Sequence, residues 1–294
     1  MFKKIKKRVL NGRFKIQGAC KPLVNFHINA LGEYSGINES FNREPMLIVS
    51  LTSYRERFND LPQTLYSLLN QSLKPDKIIL WLDQESEDFA DLPYEITQFI
   101  KNGLEIKFVK NLRSYTKVFY SFKEYSDSIL VTADDDIYYP RDWLKKLYIS
   151  YIAHPEDIHV HKAYRITSEN NKLSLLKNIK MFVNEESARY DNFIVGYGGV
   201  LYPPKCFTPE VFRQDVFLRY SPNSDDVWFW FMALVKGRKI RVVKNHIKTF
   251  AINNIFNQIN SKNLVYHNRN GGYDRQIQNL MKFYASNILS KLEL

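Results

Sequence analysis

The stretch Ile129-Leu-Val-Thr-Ala-Asp134-Asp135-Asp136-Ile-Tyr-Tyr-Pro140 decides the fold that this sequence predicts. Four largely apolar residues of strand-forming type run into three consecutive carboxylates, and a proline then opens a segment with helical apolar spacing. In open α/β sheets, ligands bind at the carboxyl ends of such strands. Alternation along an extended chain puts Asp134 and Asp136 on one side and Asp135 on the other. The crowded oxygens favour Mg²⁺ or Mn²⁺, and the alternative is a solvated acidic turn before a helix.

Before this stretch, buried strands alternate with amphipathic helices joined by short connections. This alternation predicts an α/β fold with a mostly parallel sheet that is covered by helices on both faces. The predicted strands are 46–51, 77–82, 104–109 and 129–132, and the predicted helices are 61–69, 92–100 and 114–125.

After the aspartates the pattern changes, and the second half is expected to complete the site. Since the sequence contains no internal repeat and no Gly/Ser linker, we expect one catalytic domain over 45–250. Its nucleotide-binding half would be 45–140 and its acceptor half 141–250, with an irregular region over 1–44 and a helical segment over 251–294. The elements predicted after the aspartates are a helix over 141–153, a strand over 158–165, a mobile loop over 168–178, a strand over 239–243 and, in the C-terminal segment, a helix over 273–292.

The net charge of +11 is concentrated near the N-terminus, where residues 1–21 hold eight basic side chains and no acidic one. The rest of the chain is close to balanced, so no nucleic-acid partner is expected. The basic leader predicts either a contact with an anionic membrane surface or a solubilising arm. Two cysteines, Cys20 and Cys206, fit a reducing cytoplasm, and the longest apolar run, Val227–Val235, is too short to span a bilayer.

The order of these features resembles the GT-A glycosyltransferases, specifically the inverting family-2-like enzymes that build bacterial surface polysaccharides such as capsule and lipopolysaccharide. The resemblance covers roughly residues 46–243 and implies a Rossmann-like GT-A fold with a C-terminal acceptor-side extension. It implies a nucleotide-sugar donor, most simply UDP-linked, and Mn²⁺ or Mg²⁺ as cofactor. The chain has no Gln-X-X-Arg-Trp motif, so transfer of one sugar per encounter is expected, to a glycan or lipid-linked acceptor.

The resemblance also assigns donor-side roles. Asp134 would face the ribose and sugar, Asp136 would bind the metal together with Asp134, and His267 would be a further metal ligand. The nucleotide-sugar set is Thr52, Ser53, Tyr54, Arg55, Asp83, Arg113, Lys117, Asp134 and Asp135. Plainer explanations stay open: Arg55 as a surface charge, Asp83 as a turn cap and Lys117 as a solvated helix residue.

The second acidic motif is Ser224-Asp225-Asp226, followed by Trp228. Ser224 is a suitable N-cap, and the helix dipole by itself would explain acids in the first turn. The resemblance makes Asp226 the catalytic base, with Asp225 orienting the acceptor or the base. It also places Gly198, Gly199 and Trp228 beside the acceptor.

Two other functions remain open at this stage. The aspartates would equally suit a metal-dependent phosphohydrolase that acts on a nucleotide sugar. A non-enzymatic module that binds glycans or membranes is the other alternative. The pair His159 and His161 could in principle bind metal, but such histidines are more often packed in a core.

Overall fold

The computed structural model describes residues 32, 34–169, 172–175, 182–252 and 268–284. Within them the chain forms a mixed α/β fold. The strands are β1 Leu47–Thr52, β2 Lys77–Asp83, β3 Leu104–Val109, β4 Ile129–Thr132, β5 Ile137–Tyr138, β6 Ile158–Val160, β7 Ala163–Arg165, β8 Thr167–Glu169, β9 Lys172–Ser174, β10 Ser187–Arg189, β11 Asn192–Ile194, β12 Val200–Tyr202, β13 Ile240–Val242 and β14 Phe250–Ala251. The α-helices are α1 Leu61–Leu69, α2 Tyr94–Thr97, α3 Thr116–Glu124, α4 Trp143–Ala153, α5 Gln214–Tyr220, α6 Asp225–Lys236 and α7 Tyr273–Tyr284.

An eight-stranded sheet forms the centre of the fold, in the order β10-β13-β6-β12-β4-β1-β2-β3. Four of its seven pairings are parallel, which confirms the predicted α/β architecture. The antiparallel pairings arise because β12 runs between β4 and β6 in the opposite direction, and because β10 closes the edge against β13. The start of β12 therefore lies at the same edge as the ends of β1, β4 and β6.

Both faces of the sheet are covered, as the apolar strand sequences require. Successive side chains point to opposite faces, so Leu47 and Val49 pack on one side of β1 with α1 and α4, while Ile48 packs on the other with α3 and α6. Helix α7 joins the second face through Ile277 and Leu280. Among the described residues, no helix is long and apolar enough to cross a bilayer.

Three local predictions were wrong in their details. The strand predicted over 158–165 is two strands, β6 and β7, and β7 pairs with β11 in a separate sheet. Part of the loop predicted over 168–178 is the hairpin of β8 and β9. The helix predicted over 92–100 has only one α-helical turn, followed by a 3₁₀ segment that ends at Gly103 in a left-handed conformation.

Candidate active site

The predicted site residues meet at one edge of the central sheet. The carboxyl ends of β1, β2, β4 and β6 all point to this edge, since these strands run in the same direction. The loop 195–199, which leads into β12, reaches the same edge from the opposite direction. This is the position where open α/β sheets bind ligands.

Each of the three aspartates has a different partner. Asp134 Oδ1 lies 2.5 Å from Lys117 Nζ, and Asp136 Oδ2 lies 2.7 Å from an Arg57 guanidinium nitrogen. Asp135 instead accepts a hydrogen bond of 2.6 Å from the Ser53 hydroxyl. The two outer carboxylates therefore face cations and the central one faces a neutral group.

Burial and neighbouring negative charge raise the pKa of two of these aspartates. Burial, followed by the charge of Asp136, raises the pKa of Asp135 to about 7. Burial and the charge of Asp134 also raise the pKa of Asp136. Since Asp134 and Asp136 repel each other, a divalent cation between them would relieve an electrostatic cost that Lys117 and Arg57 offset only in part.

The donor atoms of this cluster fit Mg²⁺ or Mn²⁺. Asp134 and Asp136 supply the oxygens that hard cations prefer, and Mg²⁺ commonly takes only one or two carboxylates and completes its shell with water and substrate phosphates. Within the described part of the chain, no group of three His, Cys, Asp or Glu side chains forms a protein-only metal site. The predicted third ligand, His267, lies outside the described residues.

Lys117 connects the two acidic motifs. Its side chain is 8% exposed, and its Nζ lies 2.5 Å from Asp134 and 3.5 Å from Asp225 Oδ2. Burial alone would lower the pKa of Lys117, but Asp134 and Asp225 raise it well above its usual value. The lysine is therefore a permanent cation between the end of β4 and the start of α6.

Asp226 is held by backbone. Both of its carboxylate oxygens accept from the Gly196 N–H at 3.1 Å. Burial and the neighbouring Asp225 raise the pKa of Asp226 well above the usual range, while Lys117 lowers it. The Ser224 hydroxyl caps α6 by accepting from Val227 N–H at 3.3 Å, as predicted. Asp226 thus combines a fixed position with high proton affinity.

The remaining donor-side residues hold the loops that surround the aspartates. They do so through the following contacts: Thr52 Oγ1 donates to the carbonyl of Trp81 at 2.9 Å, Arg55 binds Glu87 at 3.1 Å, Asp83 accepts from Ser86 Oγ at 3.1 Å, and Arg113 donates to the carbonyl of Pro222 at 3.2 Å. Tyr54 is 47% exposed, and its hydroxyl accepts from Arg57 Nε at 3.1 Å.

Gly198 and Gly199 have steric roles in the loop that leads into β12. A Cβ on Gly199 would lie 2.3 Å from the Trp143 ring, and one on Gly198 would lie 3.0 Å from the Lys162 side chain.

The expected position of Trp228 beside the acceptor is wrong. Trp228 is fully buried, and its indole N–H donates to the carbonyl of Val211 at 3.0 Å. Because it packs in the aromatic core, Trp228 has no surface for an acceptor.

The histidine pair is structural, as the plainer interpretation of the sequence held. His159 and His161 are both fully buried. His159 contacts Ser150 Oγ and the carbonyl of His154, while His161 contacts the carbonyl of Trp143 and the N–H of Ile247. Burial lowers the pKa of each to about 3.

Two site residues escaped the sequence analysis. The sequence predicts no role for Arg57 or for Tyr139. The Tyr139 hydroxyl accepts from the Asp134 N–H at 2.8 Å and lies 3.4 Å from the carbonyl of Tyr197. The signal for Tyr139 in the sequence is its position three residues after Asp136, directly after β5.

Comparison with known proteins identifies one matching family and several similar folds. A family model described as glycosyl transferase family 2 matches residues 48–220, more than half of the chain. A mannosyltransferase from Pyrobaculum calidifontis, solved with GDP-Man and Mn²⁺, is 12% identical and has a TM-score of 0.50, with 92% of this chain and 74% of that chain covered. Residues 1–349 of TarS from S. aureus are 14% identical and have a TM-score of 0.46, with 83% and 74% covered. No curated protein sequence matches significantly.

Proposed function

The chain belongs to glycosyl transferase family 2, and from this premise we propose that it transfers one sugar from a nucleotide-sugar donor to a hydroxyl of a glycan or lipid-linked glycan, with inversion at the anomeric carbon. The observation that carries the proposal is Lys117, which contacts both Asp134 and Asp225. These two contacts link the end of β4, which would bind the diphosphate, with the carboxylate pair at the start of α6, which would activate the acceptor. A UDP-linked donor and a surface polysaccharide acceptor, as in capsule or lipopolysaccharide synthesis, extend the proposal.

The donor half is assigned to the loop after β1 and the end of β4. Asp134 and Asp136 would hold Mg²⁺ or Mn²⁺, with His267 as the proposed third ligand. When bound, the ion would neutralise the diphosphate as it leaves. Lys117 holds the Asp134 carboxylate in position, and the Ser53 hydroxyl fixes the orientation of the Asp135 carboxylate.

The acceptor half is assigned to α6 and the loop 195–199. Asp226 would take the proton from the acceptor hydroxyl while that oxygen forms the new bond to the anomeric carbon, and the bond from that carbon to the diphosphate breaks on the opposite face. A raised pKa suits this role because it increases the affinity of the carboxylate for the incoming proton. Asp225, held by Lys117, would orient the acceptor.

The test is incubation of the protein with UDP- and GDP-linked sugars and Mn²⁺, with and without candidate glycan acceptors, followed by NMR of the products. We expect acceptor-dependent release of nucleoside diphosphate and a product with inverted anomeric configuration. Equally fast release without acceptor would instead favour the phosphohydrolase. A product with retained configuration would contradict the role of Asp226.

A further inference from the structure

A segment of the acceptor half lies alongside the aspartate strand end. This segment, residues 244–252, leaves β13 and ends in β14, which pairs with β5 directly after the three aspartates. The N–H of Ile252 donates to the carbonyl of Asp136 at 2.6 Å. Since these contacts fix its end, side chains on this segment are positioned relative to the candidate active site.

Four basic side chains gather where this segment crosses α4 and the end of β6. We refer to Lys146, Lys162, His246 and Lys248 as the basic cluster. Lys146 Nζ donates to the carbonyl of Asn245 at 2.6 Å. The pKa of His246 is lowered by burial and then by Lys162, Lys146 and Lys248, so all four groups lie within electrostatic range of one another.

Lys162 is the unusual member of the cluster. The residue is 8% exposed, and its Nζ donates to Thr249 Oγ1 at 2.9 Å and lies 4.0 Å from the centre of the Tyr197 ring. Among the described residues, no carboxylate forms an ion pair with Lys146, Lys162 or Lys248. Burial lowers the pKa of Lys162 to about 8. A buried cation without a counterion costs free energy, which a bound anion would offset.

The cluster is connected to the catalytic groups through the loop 195–199. Tyr197, which lies over Lys162, has its carbonyl 3.4 Å from the Tyr139 hydroxyl, and that hydroxyl accepts from the Asp134 N–H. The adjacent residue Gly196 binds Asp226. An anion held at Lys162 would therefore lie on the acceptor side, close to the hydroxyl that Asp226 is proposed to deprotonate.

We propose that the basic cluster binds a phosphate group of the acceptor, so that the enzyme takes a phosphate-bearing glycan or lipid-linked glycan rather than a neutral one. This inference rests on the proposed function and deepens it. Phosphate is favoured over a carboxylate because it carries more charge and more acceptor oxygens, which suits a site with several neighbouring cations. Lys162 and Lys248 are assigned as its main ligands, and Thr249 positions Lys162.

The experiment is calorimetric titration of the full chain with glycerol 3-phosphate, with glycerol and glucuronate as neutral and carboxylate probes. The titrations are repeated with UDP and Mg²⁺ present at saturation. The variants are Lys162→Met and Lys248→Met, and the matched control is Lys101→Met. Lys101 is an exposed lysine that precedes the opposite edge strand, β3. Urea denaturation of each variant monitors folding.

We expect glycerol 3-phosphate to bind the wild type in preference to both other probes, and to bind equally well with UDP and Mg²⁺ present. Lys162→Met and Lys248→Met should each weaken this binding at least about tenfold, whereas Lys101→Met should not change it. Lys162→Met should be no less stable than the wild type, because it removes an uncompensated buried charge.

Three outcomes would overturn the proposal. If all variants bound glycerol 3-phosphate with equal affinity, the basic cluster would not be its binding site. If UDP and Mg²⁺ displaced glycerol 3-phosphate, the cluster would bind the donor diphosphate instead. Glucuronate binding as tightly as glycerol 3-phosphate would exclude selection of phosphate. These results are separate from the proposed function, which is tested by acceptor-dependent sugar transfer and by the configuration of the product.

Discussion

The backbone N–H of Gly196 lies 3.1 Å from both carboxylate oxygens of Asp226. This contact fixes the proposed base against the loop that precedes β12, so the acceptor-side chemistry depends on a backbone position as well as on a side chain.

Asp226→Asn should abolish transfer and preserve donor binding. Asparagine keeps the size of the side chain and an oxygen for Gly196, but it does not take up a proton. We expect kcat to fall about 10²- to 10⁴-fold, with an unchanged dissociation constant for the nucleoside diphosphate measured by calorimetry. Normal turnover in this variant would rule out Asp226 as the base.

Gly196→Ala should lower activity through Asp226. The added Cβ would lie 2.5 Å from Asp226 Oδ1, so the carboxylate must move, and a displacement of this size costs about 10²-fold in rate. The control is the double variant Gly196→Ala with Asp226→Asn. If the alanine acts only through the base, the double variant will be no slower than Asp226→Asn alone. An additional loss would indicate a wider disturbance of the loop.

Lys117→Met should move the pH dependence of kcat. Transfer needs ionised Asp226, so the rate falls as the pH drops through its pKa. Lys117 lowers that pKa, and its removal should therefore shift the acid limb to higher pH. Lys117→Arg keeps the charge and should leave the limb nearer its original position. The measurement is kcat against pH at saturating donor. If kcat falls at the same pH in Lys117→Met and in the wild type, Lys117 does not lower the pKa of the catalytic base.

Ser224→Ala should destabilise the fold by about 1 kcal/mol, the usual cost of losing an N-cap. The Ser224 hydroxyl accepts from Val227 N–H at the start of α6. Ser224→Asp supplies an alternative cap and should retain most of the stability. Urea denaturation of the three proteins provides the comparison. If the alanine variant matched the wild type, the capping contact would contribute nothing measurable.

The layered fold could be predicted from sequence because its strands are short apolar runs and its helices carry regular apolar spacing. Not every strand direction in the sheet could be predicted from the sequence. Nothing in Val200–Tyr202 indicates that β12 inserts antiparallel between β4 and β6, since pairing partners far apart in sequence leave no local signal. The break between β6 and β7 falls at His161, whose ring contacts the distant backbone of Trp143 and Ile247.

The acidic motifs of the site were visible as clusters of like charge after apolar segments. Their partners were not. Arg57 is one of two arginines in a polar loop, and only the tertiary structure brings its guanidinium to 2.7 Å from Asp136. For Trp228, closeness in sequence was misleading. It lies two residues after the acids, but the helix turns its ring into the core, where it is fully buried.

The donor site is tested most directly by calorimetric titration of UDP and GDP in the presence and absence of Mn²⁺. The proteins are the wild type, Asp134→Asn, Asp136→Asn and the control Asp142→Asn, whose exposed side chain accepts from Ser72 Oγ. We predict that at least one nucleotide binds the wild type and the control only when Mn²⁺ is present, and that both strand-end variants lose at least about tenfold in affinity. Absence of binding by either nucleotide with Mn²⁺ present, or equal affinity in all four proteins, would contradict the assignment of the aspartate strand end as the donor site.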